Sequence, residues 1–271
     1  MTWNSSDILL IAAFGLIGGS LGGLLGLGGA VFAIPALTLA FGPNQHLYQA
    51  SALIMNIFVA AAATSKHRGR GTIRADVAPV AATASAAAAL LGVFTSNLIP
   101  AEPLMALFGL FLCYCAASEV VSLALRKPDT PASEPPQRPS RALAAGIGAL
   151  GGFAAGLLGI GGGALMVPLF RKSLRLPIRE AVANSAVVMI VACAIAATAK
   201  NASIPSLLSP TGDPLTVSSS LWLAALLAPT ATLGGMVGAM LVYRLPLGAT
   251  RVALALLLGF AGIRMAINGL T

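Results

Sequence analysis

Glycine crowds two short stretches of this chain. Gly26, Gly28 and Gly29 fall within four positions and are followed by Ala30; Gly159, Gly161, Gly162 and Gly163 fall within five. Each glycine costs a helix roughly 1 kcal/mol against alanine, so this density predicts an unwound stretch. Where a helix restarts, near Ala30 and Gly163, its first N–H groups lack intrahelical partners and carry the positive end of the helix dipole. Such an end holds an anion without a charged side chain, and missing side chains let a ligand approach the backbone. The chemistry expected here is recognition of a negatively charged solute by main chain.

A few polar side chains stand near these stretches. Asn184 and Ser185 open a helix just past the second, and Ser51 is the counterpart in the first half. Each is placed to donate to an anionic oxygen, to cap a helix, or to bond between helices. Asn56 lies deep in an apolar run, where capping does not account for it; a buried amide there takes a partner from protein or from solute. Lys66 and Lys200 are expected to anchor helix ends at the membrane interface, the alternative being to attract anions to the two mouths. His46 and His67 fit no metal-ligand spacing and are expected in loops or at the interface. Of the eight acidic residues, only Glu119 falls well inside an apolar run, where snorkelling or pairing near the interface is expected.

Other glycine chemistries fail on their own requirements. A P-loop needs Gly-Lys-Ser/Thr after its glycines, and neither stretch has it. Gly159, Gly161 and Ala164 match a dinucleotide spacing, but no strand precedes them and no acidic residue follows at the required distance. The three cysteines, Cys113, Cys115 and Cys193, lie in apolar runs without CxxC spacing. No nucleophile–base–acid constellation appears. The residues therefore predict no enzyme, no metal and no cofactor.

The elements that position these groups follow from composition. Of 271 residues 57% are hydrophobic and only 9% charged, so lipid solvates most of the surface. The net charge of +8 falls in short clusters between apolar runs, which fits membrane-flanking loops rather than nucleic-acid binding. Six runs, 48–65, 77–98, 103–125, 180–199, 219–243 and 250–269, have the length of a spanning helix. Two longer ones, 8–41 and 142–170, carry the glycines. Segment 126–141 is proline-rich and polar and is expected to link two halves, 1–125 and 142–271, on the cytoplasmic side. The N-terminus lacks a basic n-region, so the first apolar segment is expected to remain. Trp3 and Trp222 are expected at one aromatic belt.

The halves repeat. Gly23 to Gly156 and Pro35 to Pro168 are each 133 residues apart, and Ser51 and Lys66 match Ser185 and Lys200 at 134. Lysine and arginine then bear on topology. If every run crosses once, ten basic residues lie inside and six outside. If each glycine segment is a broken hairpin, entering and leaving on one side, fourteen lie inside and only Lys200 and Arg264 outside. The positive-inside rule favours the second arrangement. It predicts an all-α polytopic protein of two inverted repeats, each with a broken hairpin and three spanning helices. For the glycines upstream of each stretch, at four-residue spacing, close helix packing is expected.

These residues also carry a resemblance. The twin motifs Gly23–Pro35 and Gly156–Pro168, the Ala50-Ser51 and Asn184-Ser185 pairs, and the basic loop from Lys66 to Gly71 resemble the TauE/SafE family, the sulfite exporters. The resemblance spans nearly the whole chain. It implies a multi-pass permease of a bacterial-type plasma membrane that exports or exchanges sulfite, sulfoacetate, other organosulfonates or carboxylates. The first motif has Ala30 where the second has Gly163, so the two half-sites are expected to bind unequally. The expected partners are a small anion and membrane lipid, with a homo-oligomer left open. The alternative is a passive channel for a small neutral solute, and a third reading is a scaffold whose glycines only pack helices.

Overall fold

The computed structural model describes residues 4–69, 71–124, 139–209, 212, 214–241 and 247–270. Most of the expected linker 126–141, and Trp3, lie outside them. Among the described residues there are ten α-helices: α1 Ser5–Leu25, α2 Ala30–Phe41, α3 Gln45–Arg68, α4 Ala78–Leu98, α5 Ala101–Ala124, α6 Arg141–Leu158, α7 Gly163–Ser173, α8 Ile178–Ser203, α9 Val217–Leu241 and α10 Leu247–Asn268. Seven are long and apolar enough to cross a membrane, α1, α3–α6, α8 and α9. The protein is an all-helical polytopic membrane protein. Large apolar side chains such as Leu9, Phe94, Trp222 and Leu256 stand exposed on its surface, as a lipid-solvated body requires.

Local chemistry sets the helix ends. Asn4 and Asp7 form a capping box at the start of α1. The Ser140 hydroxyl accepts from the Leu143 N–H to open α6. At the other end of both helices a left-handed glycine takes over. Gly26 (φ 68°) donates its N–H to Gly22 O, and Gly159 (φ 77°) donates to Ala155 O. Each glycine-rich run is therefore a long helix, a break and a short helix.

Each short helix folds back along the long one. The backbone of Gly28 and Gly29 lies against Gly22, Phe32 reaches Gly18, and the Phe14 and Phe32 rings meet edge to face at 6.3 Å. In the second half Gly162 lies against Gly151 and Met166 against the same residue. Both runs are hairpins. The return helices of 12 and 11 residues are about half the length needed to span a bilayer.

The upstream glycines act in helix packing. Gly15, Gly19 and Gly23 bring α1 against the backbone of α9 at Leu227, Ala231 and Gly235, the two helices running in the same direction. Gly148, Gly152 and Gly156 do the same for α6 against Ala81, Ser85 and Ala89 of α4. Gly234 and Gly238 supply the reverse face of the first seam. Gly22, expected to pair with Gly26 in such a seam, instead faces the returning chain of its own hairpin. α5 and α10 pack antiparallel, Gly109 against Gly262. Each half thus lends a helix to the other: α1 docks on α9, and α6, its counterpart, on α4.

A β-carbon at Gly152 would overlap the Ser85 backbone, whereas one at Gly146 would meet nothing within 4 Å. Gly152→Ala should destabilise the protein by about 1–3 kcal/mol through overpacking. Gly146→Ala should be neutral, or stabilising by up to about 1 kcal/mol through helix propensity. Thermal melting in detergent measures both; equal melting temperatures would show that the seam does not govern stability.

Candidate functional site

The two breaks meet main chain to main chain, midway along α3 and α8. At Gly28 (φ 88°) a β-carbon would lie 2.6 Å from the Ile160 carbonyl oxygen, and at Gly163 it would overlap Gly26 O. Gly161 (φ 82°) completes the crossing. At Gly28 and Gly161 the backbone is left-handed as well as too close for a side chain, so the residue type is dictated twice over; at Gly163 closeness alone excludes one.

Asn56 of α3 sits where they cross. It is fully buried. Its Oδ1 accepts from the Ala30 N–H at 3.2 Å, capping the start of α2. Its Nδ2 points between the breaks, 2.9 Å from where a Gly161 β-carbon would stand and 3.3 Å from that of Gly28. That amide nitrogen has no hydrogen-bond partner among the described residues. The Met189 sulfur of α8 lines the same point. The first-turn N–H groups of Val31, Gly163 and Ala164 find no backbone acceptor among the described residues, and α7 has no side-chain cap. Orphan donors and two helix N-termini therefore converge on one place, with the positive ends of both dipoles.

The other expected site residues take different positions. Gly29 packs on Gly18 and the Met55 methyl, and Gly162 on Gly151, so both hold the hairpins closed. Ser185 Oγ donates to Val182 O at 2.9 Å, with Gly26 O at 3.5 Å, next to the first break. Ser51 Oγ donates back into its own helix, to Leu47 O at 2.9 Å. Asn184 is spent on protein: Oδ1 accepts from the Arg74 N–H at 3.0 Å, and Nδ2 donates to Glu180 O at 2.7 Å and Thr72 O at 3.4 Å. It pins the loop between α3 and α4 onto α8. In that loop the Arg74 guanidinium, hydrogen-bonded to Asp76 at 2.8 Å, holds the aspartate carboxyl below the usual carboxylate range. Every motif glycine is buried. A cavity of about 340 Å³ between α1, α2 and α10 is lined by Phe14, Phe32, Leu39, Phe260 and other apolar residues, and offers an anion nothing.

Two expectations are corrected. Lys200 is no interfacial anchor: it is fully buried, and its Nζ donates to Ser96 Oγ and Asn97 Oδ1, both at 2.8 Å, and lies 3.0 Å from His46 Nδ1. His46 and His67, expected in loops or at the interface, are likewise buried. A position near a helix end in sequence says nothing of which face the side chain occupies; here α3 and α4 close over the end of α8. Sequence reasoning also missed Gln49, whose Nε2 donates to Leu157 O at 3.2 Å beside the second break. The available signal was a polar residue one turn into an apolar helix, next to His46.

The chain is similar to known membrane proteins. The family model described as "Sulfite exporter TauE/SafE" matches residues 11–265. "Probable membrane transporter protein MamO" of Magnetospirillum gryphiswaldense is 25% identical, over 97% of this chain and 45% of that protein. A "Probable membrane transporter protein" of Xylella fastidiosa is 32% identical over 66% of this chain and 68% of its own, and YunE of Bacillus subtilis 26% over 66% and 72%. The chain spans about half the length of the MamO proteins it matches. No solved structure matches it.

Asn184→Ala should release the loop 69–77 from α8. Limited trypsinolysis is expected to cut the loop's flanking basic residues several-fold faster than in wild type; unchanged cutting would mean that the loop is held without Asn184.

Proposed function

We propose that this chain, which belongs to the TauE/SafE sulfite exporter family, is a membrane permease exporting small anions by alternating access around the crossed breaks. The observation that carries the proposal is the unpartnered Asn56 Nδ2 aimed between Gly28 and Gly161. A buried polar group without a partner costs free energy, and an oxyanion placed there satisfies it. The same oxyanion lies against the first-turn N–H groups of α2 and α7. Sulfite, sulfonates and carboxylates have the acceptor oxygens for such a cradle. Main-chain and amide donors form bonds of moderate strength, which suits a carrier that must also release its cargo.

Alternating access follows from the repeat. α3 runs from the His46 end of the bundle to the Arg74 end, and α8 runs back. α1 runs with α9 and α6 with α4, so each element of the second half opposes its counterpart, as two inverted repeats would. In this reading one hairpin enters from each side of the membrane, and rocking of one repeat against the other opens the crossing to either face. The basic loops 66–74 and 171–179 then share the cytoplasmic side. With a negative cell interior, moving one charge through 100 mV is worth about 2.3 kcal/mol, so anion efflux runs downhill without a coupled ion.

Two measurements check this. Asn56→Leu should weaken sulfite or sulfoacetate binding by about tenfold or more, the worth of a hydrogen bond to a charged acceptor, while the purified protein stays folded. Retained affinity and flux in the folded variant would refute the site. Ser173→Cys should resist an impermeant thiol reagent in intact cells and react once they are permeabilised. Labelling from outside would overturn the inverted arrangement.

A further inference from the structure

The Lys200 cluster lies off the crossing and is not used by the carrier just described. Its Nζ is buried among three neutral groups drawn from two other helices: His46 of α3, and Ser96 and Asn97 of α4. Those three acceptors match the three N–H bonds of an ammonium, with His46 accepting at Nδ1. The hydrogen bonds are complete but the charge is not. Among the described residues no carboxylate pairs with Lys200; the ion pairs found there join Arg74 to Asp76 and Glu180. A buried charge without a counter-charge is expensive, so the amine either gives up its proton or takes the missing sign from a bound anion.

The cluster is wired to the glycine breaks. Ser96 Oγ donates to Gln49 Oε1 at 3.1 Å, and Gln49 Nε2 donates to Leu157 O, in the last turn of α6 before Gly159. Gln49 packs directly on Gly159. His46 and Gln49 are one turn of α3 apart, so Lys200 stands about one helical turn beyond the second break, toward the end where α3 begins. Asn97 is half-buried and forms the open side of the cluster.

We propose that Lys200 is a second anion subsite, through which a small oxyanion passes between the crossing and the α3-start end of the bundle. The anion displaces Asn97 Oδ1 from Nζ and takes hydrogen bonds from the ammonium and from the Asn97 amide, leaving Ser96 on Gln49. The inference rests on the anion-permease reading and adds the cationic station that the main-chain site lacks. The scarcity of buried carboxylates makes the station selective for sign: a cation meets nothing to hold it, and an anion supplies the charge the protein omits.

Asn97→Asp tests this with little risk to the fold, since the new carboxylate keeps the shape and the contact to Nζ. Wild type and variant, purified in detergent, are titrated with sulfite and with sulfoacetate, chloride serving as control. Wild type should bind at least one of the two. The variant should melt higher without ligand, because its counter-charge is built in, and bind about tenfold more weakly or worse. Lys200→Met, where folded, should lose binding to a similar degree. If Asn97→Asp melts higher yet binds within twofold of wild type, Lys200 is only structural and the subsite is overturned, while the permease reading stands. If wild type binds neither anion, the permease reading falls and the subsite with it.

Discussion

Unwound backbone inside a membrane protein must find its hydrogen bonds in protein, since lipid offers none. The structure meets this demand only in part: two glycine breaks cross against Asn56, which takes one N–H, while those of Val31, Gly163 and Ala164 keep no backbone acceptor among the described residues. Carbonyls of one break lie where side chains of the other would be, and the Asn56 oxygen takes the first N–H of α2. Replace one glycine core by helix formers and the break disappears, the hairpin straightens and the crossing has nothing to cross. The hairpins, the closeness of α3 and α8, and the converging donors all depend on that contact.

The seams that bring the breaks together use the same residue for another end. Along α1–α9 and α6–α4, glycine at every fourth position lets backbones touch, so the hairpins are gripped by helices of the opposite half. This exchange ties the halves into one body while leaving each hairpin lightly attached to its own repeat.

Four polar side chains of the interior lie along one path. Lys200, Ser96, Gln49 and the end of α6 are joined by successive hydrogen bonds, and Asn56 lies two turns further along α3 than Gln49. One face of α3 thus carries His46, Gln49 and Asn56 past both breaks.

The sequence by itself determined the helices and the glycine breaks between them. Glycine density, apolar length and basic-loop placement are local or additive properties, and they are read without knowing who meets whom. It also singled out Asn56, because an amide deep in an apolar run has no local excuse. Tertiary structure alone decided the partners. Asn184, grouped with the site by its place in the repeat, turns to the Arg74 loop, and Lys200, grouped with the interface, turns inward to His46 and Asn97. The reason is physical: a helix end exposes every direction around its axis, and which direction is buried depends on the neighbours that close over it, which belong to distant parts of the chain.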